Sequence, residues 1–221
     1  MNGKPVIIDH THEKYLKQCR SKITRFNGAY LYSKEIVKYI IPNVETKRNW
    51  ITLNIPGVAV DHAIVFIHNN LYPDHYNWLK KYDDLILVCG VPETVEKIAH
   101  LGKAIYLPLS VKVSNIEKYR REKTKETAFV GRKKKISYKG VELPDDIDFI
   151  HGLPPTRFLK QMAKYKNVYA VGRCAIEAKI LDCNVLPYDP RYPDVDKWKI
   201  LDSADAAKIL NEKLKEIDKE R

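Results

Sequence analysis

Two short stretches place a glycine and an arginine at the end of an apolar run: Phe129-Val130-Gly131-Arg132 and Val171-Gly172-Arg173. Glycine lets a backbone approach a ligand closely, and a guanidinium can fork two hydrogen bonds onto a phosphate. Lys133, Lys134, Lys135 and Lys139 follow the first stretch and add positive potential. The plainer alternative is a surface turn with solvated bases. The second stretch leads into a segment of helical spacing that holds Glu177. A helix N-terminus supplies free N–H groups and partial positive charge, which again suits a phosphate. Glu177 there either accepts hydrogen bonds from ribose hydroxyls or compensates the helix dipole in solvent.

Histidines form the second set of candidates. His68 closes a run of five apolar residues and is followed by Asn69 and Asn70. It reads either as a base or hydroxyl ligand, or as a structural histidine satisfied by a buried partner. His151-Gly152 follows Ile150 in the same way. His10-x-His12, flanked by Asp9 and Glu13, would project two imidazoles to one side of a strand end, as in metal-dependent hydrolases. Such a site needs further His or Asp ligands at strand ends; His68 and His151 could supply two, but no second motif supports it. The expectation is therefore no metal, with the hydrolase kept as an alternative.

These residues need a scaffold, and the alternation of apolar runs defines one. Strands are expected at 5–9, 50–55, 63–68, 85–89, 104–107, 127–130, 147–150, 167–171 and 184–188. Helices are expected at 30–41, ended by Pro42, and from Pro92 to a capping Gly102. Others are expected at 155–165 and 175–181, and a terminal amphipathic helix opens at Ser203 and Asp205. Alternation of this kind means an α/β chain of two small Rossmann-like domains with mostly parallel sheets. In such sheets ligands bind beyond the carboxyl ends of the strands. Asp9-His10-Thr11-His12, His68-Asn69-Asn70, Gly131-Arg132, His151-Gly152 and Gly172-Arg173 all fall there.

The chain has 221 residues, 44% hydrophobic and 30% charged, with a formal net charge of +11. That composition supports a folded core and argues against a disordered chain. Residues 112–139 hold eleven basic residues against three glutamates, so eight of the eleven surplus charges lie there. The run reads as a solvated basic connection or as an anion site. No apolar run approaches the ~18 residues that span a bilayer, and the N-terminus does not read as a signal peptide. Cys19, Cys89, Cys174 and Cys183 form no CxxC pair, which fits a cytoplasmic protein without disulfides or structural zinc. The expected division is an N-terminal domain at 1–112, a basic linker at 113–126, a C-terminal domain at 127–202, and a helix at 203–221, with a return of that helix to the first domain as one expected course.

The second half resembles the nucleotide-sugar-binding domain of GT-B glycosyltransferases, in particular the glycosyl transferase group 1 (GT4-like) set. The resemblance is carried by Thr127-Ala128-Phe129-Val130-Gly131-Arg132 with Lys139-Gly140, and by Ala175-Ile176-Glu177-Ala178 with Asn184-Val185-Leu186-Pro187. Residues 84–111 look like the end of the family's first domain, and Ile67-His68-Asn69 is similar to its histidine-bearing strand end. The resemblance implies two domains facing a central cleft, the first binding acceptor and the second binding donor. It implies transfer of a sugar from a nucleotide-diphosphate donor to a hydroxyl acceptor, with no cofactor required. Gly131, Arg132, Lys135, Lys139, His151, Gly172, Arg173 and Glu177 would face the donor. His68 would act at the acceptor, beside Asn69, Asn70, His10 and His12. The basic charge makes DNA or a membrane-associated glycan a candidate acceptor. It also leaves open a non-catalytic nucleotide or nucleic-acid binder using 112–139.

Overall fold

The computed structural model describes residues 4–13, 28–53, 59–67, 77–131, 143–186, 188–189 and 199–220. The chain is α/β, and every strand pairing among the described residues is parallel. It divides into two compact units, Met1–Val111 with Leu201–Arg221, and Lys112–Ile200.

The first unit is built on a five-stranded sheet of β1 (Ile7–Ile8), β2 (Asn49–Ile51), β3 (Ala63–Ile67), β4 (Ile86–Cys89) and β5 (Lys103–Tyr106), in that spatial order. Every residue of β3 and β4 is buried, because a parallel strand covered on both faces has no solvent side. Alternation sends Ala63, Val65, Ile67, Leu87 and Cys89 into one cluster with Trp78, Leu79 and Ile98. Phe66, pointing the other way, meets Tyr32 edge-on and stacks against Trp50. Burial pushes the Cys89 thiol up to about 12, so it stays protonated in the core. A two-residue parallel pair, β6 (Ser110–Val111) with β11 (Leu201–Asp202), belongs to the same unit.

The helix expected over 30–41 is resolved into three registers. Regular helix α1 runs Gly28–Glu35, a π-helical turn covers Ile36–Ile40, and a 3-10 turn covers Ile41–Asn43. Pro42 lacks an N–H and its ring would collide with the carbonyl four residues back. The backbone widens instead, Ile41 N–H bonding to Ile36 O, and Pro42 sits inside the 3-10 turn rather than stopping the helix before it. After β4, α2 (Pro92–Ile98) ends in a 3-10 turn, Ala99–Leu101. Gly102 is extended there (φ 164°), not a left-handed cap; a Cβ on it would lie 2.7 Å from Leu85 O, so backbone contact selects the glycine.

In the second unit, α3 (Val113–Glu117) leads to β7 (Lys125–Val130), so the 113–126 stretch holds a helix and a strand start and belongs to this unit. There follow β8 (Asp148–Ile150), α4 (Pro155–Met162), β9 (Tyr165–Tyr169), α5 (Arg173–Ile180) and β10 (Asn184–Leu186). The sheet order is β10-β9-β7-β8. Phe149, Phe129 and Tyr169 lie side by side in register across β8, β7 and β9. Leu143, Ile147 and Tyr188 pack on that aromatic row.

The terminal helix α6 (Ser203–Lys219) belongs to the first unit, packing along 36–43 and β6. Its N-cap is Asp202, whose carboxylate accepts from Ala204 N at 2.9 Å, one residue before the expected start. Gly102→Ala is expected to lower stability by about 1–3 kcal/mol, read from the midpoint of urea unfolding, because the obstructing atom is a backbone oxygen that cannot swing away.

Candidate functional site

In the second sheet, β7 connects to β8 on one side while β9 connects to β10 on the other. The chain therefore leaves the carboxyl ends of the adjacent strands β7 and β9 in opposite directions. This is a topological switch point, where open α/β sheets form a crevice for ligands. In the first sheet every connection steps the same way, and its described strands make no such point.

Three glycines with left-handed backbone stand at the exits of β7, β8 and β9: Gly131 (φ 150°), Gly152 (φ 66°) and Gly172 (φ 58°). Gly131 and Gly172 flank the switch point. Gly131 N–H bonds to Ile150 O, and a Cβ on Gly131 would meet the Phe129 ring at 3.0 Å and the Tyr188 hydroxyl at 3.4 Å. Gly172 is the N-cap of α5 and brings no side chain over the helix N-terminus. Around Gly152 a Cβ would meet nothing within 4 Å, and His151 beside it is exposed.

Arg173 and Glu177 follow on consecutive turns of α5. Arg173 Nε lies 2.7 Å from Glu177 Oε1, with side-chain exposures of 12% and 6%. The guanidinium expected at a phosphate is thus directed onto the carboxylate expected at a ribose, and the two form one desolvated ion pair. Removing either partner from such a pair leaves an uncompensated charge. Tyr188 and the buried Asp189, which follow β10, also reach this edge, and Tyr188 packs on Phe129 at 4.6 Å between ring centroids. The signal for both was the polar strand exit that marked the other candidates, hidden because Tyr188 was read as the end of the strand. Arg132, Lys135 and Lys139 lie outside the described residues.

At the exit edge of the first sheet, Asp9 Oδ1 accepts from both Thr11 N (2.8 Å) and Thr11 Oγ1 (2.6 Å), fixing the turn after β1. His10 packs edge-on against Tyr30 at 5.5 Å. Burial lowers its pKa, opposed by Asp9 and reinforced by Lys34, so the ring is biased toward the neutral form. His12 is half-buried nearby in sequence, while His68, Asn69 and Asn70 lie outside the described residues. Among the described residues no group of three or more His, Cys, Asp or Glu side chains is arranged to hold a metal.

β7 carries the chain from one edge to the other, about 20 Å at ~3.3 Å per residue, so residues before Lys125 and Gly131 are at opposite edges. Two of the bases before β7, Arg120 and Lys123, fasten helix ends. Lys123 Nζ donates to Ala163 O (3.1 Å) and Leu181 O (2.5 Å), the C-caps of α4 and α5, and lies 3.3 Å from Cys183 Sγ. Arg120 Nε donates to Ile180 O at 2.6 Å and pairs with Asp182 at 3.1 Å. Lys125 pairs with Asp148 at 2.7 Å, and Tyr165 donates to the same carboxylate oxygen at 2.8 Å. Hydrogen bonds from Lys125 and Tyr165 hold Asp148 below the usual carboxylate range. A helix C-terminus presents unpaired carbonyls and partial negative charge, which these cations satisfy.

Asp182 itself has left-handed backbone (φ 58°) and closes α5 in a Schellman arrangement, Cys183 N–H bonding to Ala178 O and Asp182 N–H to Lys179 O. No protein-family model, curated protein or solved structure matches the chain. Among the described residues no helix is long and apolar enough to cross a membrane.

Two substitutions test this account of the charge. Lys123→Met should lower unfolding stability by about 1–3 kcal/mol by orphaning two helix-end carbonyls. Asp182→Gly should be neutral or stabilising by up to about 1 kcal/mol, since relief of left-handed strain outweighs a solvent-exposed ion pair.

Proposed function

We propose that the protein is a glycosyltransferase that moves a sugar from a nucleotide-diphosphate donor to a hydroxyl acceptor. The observation that carries this reading is the switch point between β7 and β9, flanked by Gly131 and Gly172 and followed on each side by an arginine. Bare backbone at two adjacent strand exits, with the N-terminus of α5 at one of them, suits an extended anion such as a diphosphate. In this reading Arg132 and the lysines after it hold the diphosphate, and Glu177, oriented by Arg173, reaches the ribose. Stabilising the charge that grows on the leaving diphosphate lowers the barrier as the anomeric carbon becomes oxocarbenium-like. We assign the donor side to the second unit and the acceptor side to the first, as in a GT-B arrangement. His68 is the acceptor-side base or hydroxyl ligand, with Asn69, Asn70, His10 and His12 assigned to the same role of facing the acceptor.

The test is a thermal-shift screen of the full chain against UDP-, GDP-, ADP- and dTDP-sugars, repeated with Arg132→Ala and Glu177→Gln. At a hundredfold excess over Kd a ligand adds about 2.7 kcal/mol, roughly 5–10 °C for a chain of this size. One donor class is expected to give such a rise, reduced in both variants. No rise with any nucleotide in the wild type sinks the donor-site reading, and equal rises in all three proteins refute the residue assignment. Binding without release of nucleoside diphosphate in the presence of hydroxyl acceptors would mark a binding protein rather than a transferase.

A further inference from the structure

From Phe149 to Ile176 the chain holds five bases, Arg157, Lys160, Lys164, Lys166 and Arg173, and no acidic residue. Two of the five are engaged within the second unit, Lys166 with Glu126 at 2.6 Å and Arg173 with Glu177 at 2.7 Å. Arg157, Lys160 and Lys164, on α4 and just past its C-cap Ala163, pair with no acid among the described residues. They stand at i, i+3 and i+7, so at about 3.6 residues per turn they share a stripe about 60° wide. Arg157 and Lys160 are exposed and Lys164 is half-buried, while Leu159, Met162 and Ala163 fill the buried side of the helix.

Nothing local favours this stripe. The first turn of α4 carries no acid, and Arg157 within it opposes the partial positive charge of the helix N-terminus. Arg157 with Lys160 and Lys160 with Lys164 are like charges at i,i+3 and i,i+4, which weakens a helix. Other cations of the unit stand where the fold uses them: Lys123 donates to Leu181 O at 2.5 Å and Arg120 to Ile180 O at 2.6 Å. Three local penalties on one helix face, with no ion pair among the described residues to offset them, mark a surface kept for something outside the fold.

We propose that this face of α4 binds the phosphate backbone of a nucleic acid, Arg157, Lys160 and Lys164 each reaching one phosphate without reading the base sequence. The stripe is linear. From Arg157 to Lys164 it runs about 10 Å at ~1.5 Å per residue, the length of about three nucleotide steps at ~3.4 Å each. That suits a polymer of anions better than a single phosphate or carboxylate. A helix that lies on a bilayer inserts its apolar side among the lipids. α4 has none to offer, because Leu159 and Met162 are buried within the unit and the exposed side carries charge. The surface uses none of the residues assigned to the sugar donor, and it stands whether or not that reading does.

Fluorescence anisotropy of the full chain with a labelled, mixed-sequence DNA duplex, followed from about 50 to 200 mM salt, tests the assignment. The variant combines Arg157→Gln, Lys160→Gln and Lys164→Gln. Glutamine keeps the helix propensity and relieves the repulsion, so the urea midpoint is expected to hold or rise. A control combining Lys80→Gln, Lys81→Gln and Lys97→Gln removes the same charge from exposed positions of the first unit. In the α4 variant the slope of log affinity against log salt is expected to be shallower by about 3, at ~0.9 per phosphate, and the affinity at the lowest salt to fall about tenfold or more. In the control the slope is expected to change by less than about 1. No duplex binding by the wild type, equal losses in the two variants, or an unchanged α4 variant overturns the proposal. So does loss of binding to phosphatidylserine vesicles, rather than to the duplex, in the α4 variant. Amide exchange of the wild type reads the surface without any substitution: residues 156–164 are expected to slow when duplex is bound, and no slowing there overturns the proposal as well.

Discussion

Parallel pairing is the constraint from which the rest follows. When every strand of a sheet points the same way, all helix C-termini and strand starts gather at one edge, and all strand exits gather at the other. The two edges then face different electrostatic problems. The edge with helix C-termini collects unpaired carbonyls and partial negative charge. The exit edge collects helix N-termini and backbone N–H groups. In both units of this protein the first problem is met with cations. Arg120 and Lys123 hold the ends of α4 and α5, and Arg48 and Lys103 hold the end of α6. The exit edge of the second sheet is left with glycine and bare backbone at its switch point.

That division changes what the net charge of +11 means. Read along the chain, residues 112–139 look like one basic patch. In space, β7 takes up its middle, and two of the bases before the strand, Arg120 and Lys123, serve carbonyls of their own unit. A cation that caps a helix is spent in part on the fold. Charge counted in sequence therefore overstates the charge left over for solvent.

The architecture was legible in the sequence because it depends on apolar periodicity, which survives without tertiary context. The apolar runs expected as strands at 63–68 and 85–89 form strands over Ala63–Ile67 and Ile86–Cys89, buried throughout. The switch point was not legible, since pairing β7 with both β8 and β9 depends on contacts between residues distant in sequence. Nor were β6 and β11, because two residues carry no period. Pro42 and Gly102 were read by the usual local rules, yet a widened turn absorbed the proline and a neighbouring carbonyl selected the glycine. At the candidate site, Gly131 and Gly172 follow β7 and β9, whereas the burial of Glu177 in a pair with Arg173 needed the helix to be built before its i,i+4 reach was known.

The left-handed residues show how one backbone geometry serves both edges. Among the described residues, His62, Asp84 and Asp182 all precede strands, and Gly131, Gly152 and Gly172 all follow them. Glycine would be the less strained choice at all six, and the polar side chains before the strands carry strain of about 1 kcal/mol each. Their contacts offset that strain unequally. Asp182 pairs with the arginine on the end of α5, and Asp84, with His62 upon it, pairs with the arginine on the end of α6. Arg48, 3% exposed, needs an anion beside it to remain charged in the core, whereas the exposed Arg120 gains little from Asp182. The tight turn into the next strand is the nearest backbone that can carry one. After the strands no such cation has to be balanced, the side chain is dispensable, and glycine leaves the backbone open. The same turn geometry thus carries an ion pair at one edge of each sheet and, at the other edge of the second sheet, falls to glycine.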